Sequence, residues 1–128
     1  MVRPLAARKF WFSPKACFGA GSLINVVFMF SHVVVFWTKP DVADATEQLL
    51  AGAEKYLKPC PGVLHYHCGK MASSHRDVVD QSYQVALNLV FEDKAAQDAY
   101  QEHPLHVDFI EKVFKPCCER VVVYDFED

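Results

Sequence analysis

Residues 81–109 read QSYQVALNLVFEDKAAQDAYQEHPLHVDF, and the period of the pattern changes part-way along. From Gln81 to Phe91 the chain alternates, with Tyr83, Val85, Leu87 and Leu89 on one face and Gln84, Ala86 and Asn88 on the other. That period of two predicts a half-exposed strand. After it, Glu92-Asp93 opens a helix, where acidic groups favour the dipole, and Ala96, Ala99 and Tyr100 share one side. His103-Pro104 interrupts this helix, because proline lacks an N–H and clashes with the preceding turn. Leu105 to Phe114 restarts it with Val107, Ile110 and Phe114 as its apolar face, and Pro116 is expected to stop it.

Upstream, Phe30 to Trp37 (FSHVVVFW) is β-branched and aromatic and reads as a first strand. Asp41 to Lys58 reads as a helix, with Asp41 as its cap and Val42, Ala45, Leu49, Ala53, Tyr56 and Leu57 at helical spacing. Pro59 and Pro61-Gly62 end it. Val63 to Met71 (VLHYHCGKM) is a second strand, Ala72 to Asp80 a polar loop, and Glu119 to Phe126 (ERVVVYDF) a fourth strand. The order is β-α-β-β-α-β. It predicts an α+β, ferredoxin-like fold: a four-stranded antiparallel sheet with both helices on one face. The first strand offers His32, Val34 and Phe36 on one side and Val33, Val35 and Trp37 on the other. The fourth offers Val121, Val123 and Asp125 against Val122 and Tyr124. A sheet apolar on both faces with helices for only one predicts burial against a second copy. The expected assembly is a homodimer packed sheet on sheet, a dimeric α/β barrel closed across two subunits.

The 128 residues suit one domain, and 52% apolar with 23% charged residues supports a packed core. The formal charge of -3 is unevenly spread. Residues 1–28 carry Arg3, Arg8, Lys9 and Lys15 and no acid, a net +4; residues 29–128 hold the other 9 basic and all 16 acidic groups, a net -7. Two units are expected: a basic N-terminal extension, 1–28, and a folded domain, 29–128. The acidic domain is a poor polyanion binder, so no nucleic-acid partner is expected. For the extension, three readings stand: an upstream mis-start before Met29, an organelle transit or secretory peptide, or an ordered part of the fold. The apolar run Ala16 to Trp37 is broken by Gly19, Gly21, Ser22, Asn25, Ser31 and His32, so no membrane span is expected. Cysteines at 17, 60, 68, 117 and 118 show no C-x-x-C and no zinc-knuckle spacing. They read as core fillers in a reducing, cytoplasmic setting, or an organelle if residues 1–28 are a transit peptide.

SHVVVFWTKP, PGVLHYHCGK, YQVALNLVFED, AYQEHPLHVDF and RVVVYDF, in this order and spacing, resemble the stress-responsive dimeric α/β-barrel (Dabb) family over residues 29–127. The resemblance implies the same fold and dimer and little about chemistry. A more distant similarity links the chain to plant polyketide cyclases of the olivetolic-acid type, which close a linear polyketide without metal or cofactor. It implies Tyr100 and His106 as a catalytic pair and His32 as a pocket residue. A further pocket histidine of those enzymes falls on Val85, a departure that separates this pocket from theirs. Related barrels include cofactorless monooxygenases and heme-degrading enzymes. No Asn-Trp-His heme constellation is present here, and no cofactor is expected.

The residues themselves leave each role open. An imidazole at position 106 suits proton transfer at neutral pH, and a tyrosine hydroxyl at 100 can serve an oxyanion. Equally, His103 and His106 can cap the broken helix and Tyr100 can be core. His32 is either a satisfied core histidine or a polar group on a pocket floor. His103 and Tyr83 complete the candidate ligand-binding set. His65 and His67 share one strand face, which is two ligands and not a metal site. The expected function is binding of a small hydrophobic or aromatic ligand in a sheet–helix cavity. The alternatives are a cofactor-independent cyclase or lyase using Tyr100 and His106, and a cofactorless monooxygenase.

Overall fold

The computed structural model describes residues 28–128; the readings of the N-terminal extension lie outside them. The elements are β1 (Phe30–Thr38), α1 (Ala45–Gly52, continued by a π-helical turn, Ala53–Leu57), β2 (His65–Lys70) and β3 (Val85–Phe91). They continue with α2 (Lys94–Glu102), α3 (Pro104–Phe109, continued by a second π-helical turn, Ile110–Phe114), a last helical turn (Lys115–Cys117) and β4 (Cys118–Glu127). The four strands form one sheet in the order β2-β3-β1-β4, with every neighbouring pair antiparallel. This is the ferredoxin-like α+β arrangement.

Alternation decides the faces. Phe30, His32, Val34 and Phe36 of β1 are buried, and β3 buries Val85, Leu87, Leu89 and Phe91 beside them. The helices supply Leu49, Leu57, Tyr100 and Phe109 to the same core. Gly52 permits the close approach of α1 to the second π turn, since a Cβ there would fall 2.5 Å from Val113 Cγ1. On the opposite sheet face Tyr124 and Phe126 are exposed, and their register partners are Val33 and Ser31.

Several boundaries differ from the sequence reading. Asp41 does not cap α1; Asp44 does, in a left-handed conformation at φ 56° with no side-chain cap bond. Asn and Asp tolerate that backbone better than most residues. Pro116 does not stop the third helix. It stands inside the last helical turn, Lys115–Cys117, and the helix gives way to β4 after Cys117, where Cys118 is extended. β3 starts at Val85, not Gln81: Asp80 Oδ1 accepts from Ser82 N and Oγ in a local turn, although Gln84 N still donates to the Phe36 carbonyl. Tyr83 therefore leaves the alternation and packs edge-on against Trp37, ring centroids 6.4 Å apart. Asp93 caps α2 through Ala96 N, as the acidic start predicts. His103, extended before Pro104, caps α3 by accepting from Leu105 N. Cys60, Cys117 and Cys118 are buried free thiols and Cys68 is half-buried.

Candidate functional site

Between the sheet and α2–α3 lies a cavity of about 160 Å³. Its polar end is formed by His32, Tyr100, Gln101 and His106; its walls by Val34, Phe36, Leu57, Leu87, Phe109 and Phe114. Val121 and Val123, on the helix-facing side of the edge strand β4, complete the lining and remain 39% and 46% exposed, so the cavity opens at that edge.

The kink at His103-Pro104 brings the polar groups together. It ends α2 just after Tyr100 and Gln101 and starts α3 with His106 in its first turn. The rings of Tyr100 and His106 are 4.7 Å apart, and those of Tyr100 and His32 are 5.8 Å apart. Tyr100 is fully buried, and burial pushes its hydroxyl well above the usual tyrosine range, with the anionic forms of Cys60 and Tyr66 pushing the same way. It therefore stays a phenol and a hydrogen-bond donor.

His106 Nδ1–H donates to the Gln101 carbonyl at 3.0 Å, which leaves Nε2 as the basic atom. Burial pushes the His106 imidazole below 6.5; the Gln101 bond opposes this and His32 adds to it. An NMR titration is expected to place its midpoint below 6.5 in the folded domain. The unfolded chain then binds more protons, so stability is fullest above pH 6.5 and falls as pH drops through the lowered folded value. His106→Gln is expected to shallow that slope in denaturation measured on either side of pH 6.5.

His32 is 5% exposed, and its Nδ1 lies 2.6 Å from Asp125 Oδ1 on β4. The carboxylate accepts a hydrogen bond from Nδ1–H, so Nε2 is the nitrogen left for other contacts. Thus His32, Tyr100 and His106 are gathered at one cavity, whereas His103 and Tyr83 stand outside its lining, the first occupied as a cap and the second against Trp37. Sequence reasoning did not single out Gln97, Gln101 or Asp125. Gln97 was findable, since it lies three residues before Tyr100 on the same helix face. His65 and His67 share the open sheet face, and among the described residues no group of three or more potential metal ligands occurs.

A model of the stress-responsive A/B barrel domain matches residues 30–128. The chain belongs to the stress-responsive A/B barrel domain family. A stress-response A/B barrel domain-containing protein of Arabidopsis thaliana is 31% identical to this A/B barrel domain over 97 residues, 76% of this chain and 84% of the relative. A Dabb family protein with a ferredoxin-like fold from Mesorhizobium loti superposes with a TM-score of 0.63 at 29% identity, over 77% of this chain and 95% of that one. A dimeric ferredoxin-like protein of unknown function from Thermobifida fusca gives 0.65 at 20% identity, over 84% and 98%. A hydroxynitrile lyase from Passiflora edulis gives 0.64 at 19%, over 78% and 93%. The last two likenesses show the fold of the A/B barrel domain alone. No helix among its described residues is long and apolar enough to cross a membrane.

Proposed function

We propose that this A/B barrel domain works as a homodimer and holds a small hydrophobic or aromatic ligand in the sheet–helix cavity. The cavity carries this reading: about 160 Å³ with apolar walls and one polar end. An engineered apolar cavity of about 150 Å³ is large enough to bind benzene, so a single ring fits. A few convergent polar groups in an apolar pocket are the usual form of a small-molecule site. The dimer is supported by the open sheet face and by the dimeric relative from Thermobifida fusca.

Toluene is expected to shift the NMR signals of Ile110 and Phe114 saturably. Val123→Trp, at the exposed mouth, fills the entrance and is expected to weaken binding at least about tenfold, the equivalent of ~1.4 kcal/mol. Unmoved signals in the wild-type domain would sink the ligand reading.

One observation favours a second reading, proton transfer on the bound ligand. His106 offers a neutral Nε2 beside a tyrosine that stays a donor. In this reading His106 is the base, Tyr100 stabilises the developing oxyanion, and His32 lines the pocket. A lyase from Passiflora edulis is built on the same fold.

A further inference from the structure

Gln97 and Gln101 form an amide pair at the polar end of the cavity. Gln97 is 3% exposed, and with His32 it makes up the buried polar side chains among the described residues. Its Nε2 donates to Gln101 Oε1 at 2.8 Å. The same nitrogen lies 3.3 Å from His32 Nδ1, but Nδ1–H donates to Asp125 at 2.6 Å, so this is a contact between two donors and not a hydrogen bond. The two glutamines are one i,i+4 step apart on α2, so the helix backbone sets their meeting. Gln101 lines the cavity and is solvent-exposed. A carboxamide has an acceptor end and a donor end. With Oε1 taken by Gln97, the NH2 end is the one left to bond an entering molecule. An exposed glutamine alone samples many rotamers; the buried partner selects among them.

We infer that Gln101 is a ligand-binding residue held donor-first by Gln97, and that the site takes a single-ring apolar compound carrying a carbonyl or carboxylate oxygen. This rests on the reading of the cavity as a ligand site. An acceptor oxygen at this end lies with Gln101, Tyr100 and His106, while the ring lies along Phe36, Phe109 and Phe114. A pure hydrocarbon fills the same space without using the donor.

NMR titrations of the wild-type domain and of Gln101→Leu with ethylbenzene, acetophenone and benzylammonium test this. Acetophenone is expected to bind about fivefold tighter than ethylbenzene, the effect of one net hydrogen bond. That advantage is expected to shrink in Gln101→Leu, an exposed position that folding tolerates, with Tyr100 the donor that remains, and to shrink less in Gln97→Leu. Equal binding of ketone and hydrocarbon in the wild type overturns the inference, and so does an advantage undiminished in Gln101→Leu. A preference for benzylammonium overturns it too, since that cation needs the glutamine oxygen. If ethylbenzene binds, the cavity reading stands whatever the ketone does; if neither binds, both readings fall.

Discussion

His106→Gln is expected to slow deuterium exchange into the methyl group of bound acetophenone by about 10²–10⁴-fold, the usual worth of a positioned general base. Exchange reports the elementary step of the proton-transfer reading. Nε2 takes a proton from the carbon beside the carbonyl, negative charge develops on the carbonyl oxygen, and a deuteron from solvent returns to carbon. The tautomer is already suitable, because the Gln101 carbonyl holds the Nδ1 proton. Burial keeps His106 neutral below the pH at which an ordinary imidazole is half protonated, so exchange should persist to below pH 6.5. Tyr100→Phe is expected to cost about 10²-fold through loss of an oxyanion donor, while the ring stays packed against Phe91 and His32. Tyr100→Ala is unsuitable for this test. Removing the largest fully buried side chain costs about 3–5 kcal/mol, a large part of a small domain's stability. Exchange no faster than in buffer, or unchanged in His106→Gln, removes the proton-transfer reading and leaves ligand binding intact.

The element order and the sheet faces were legible because alternation and helical spacing are local signals. The VALNLVF run of β3 and the VVVFW run of β1 each state their own period, and the proline at 104 states the kink. The cap of α1 was not legible: Asp41 and Asp44 are both plausible, and the backbone turn that chooses Asp44 depends on how β1 meets the helix layer, where Lys39 N donates to the Cys117 carbonyl. Both π turns were invisible too, since the residues Ala53–Leu57 and Ile110–Phe114 carry ordinary helical patterns. In the site, Tyr100 and His106 were readable from the kink, and His32 from its place among inward-facing residues. Asp125 was not, because its role depends on register across β1 and β4, and although spacing puts Gln97 on the Tyr100 face, its bond to Gln101 was not readable. His103 and Tyr83 show the converse: a type suited to ligand binding, in the right stretch, already used by a cap and by an indole.

Lysines at Tyr124 and Phe126 are expected to convert the domain from twice its 14.5 kDa chain mass to the single-chain mass in light scattering at micromolar concentration. Both side chains are about 60% exposed on the sheet face away from the helices, so the substitutions remove nothing from the core of one chain. In a sheet-on-sheet dimer they would meet the partner's apolar face. Desolvating each ammonium there costs several kcal/mol. A typical stable interface buries about 800 Å² per partner, and losing two aromatic contacts from it compounds the cost. The monomer should keep its fold, since Phe36, Leu49, Leu89 and Phe109 pack on the helix side. Lysine on an edge strand such as β4 also opposes any substitute strand pairing. Two results would refute the dimer: a wild-type mass of 14.5 kDa, or a double variant that still scatters at twice that mass. Retained toluene binding by the monomeric variant would further place the ligand cavity within one chain, where its lining residues lie, and make the open face a surface for assembly alone.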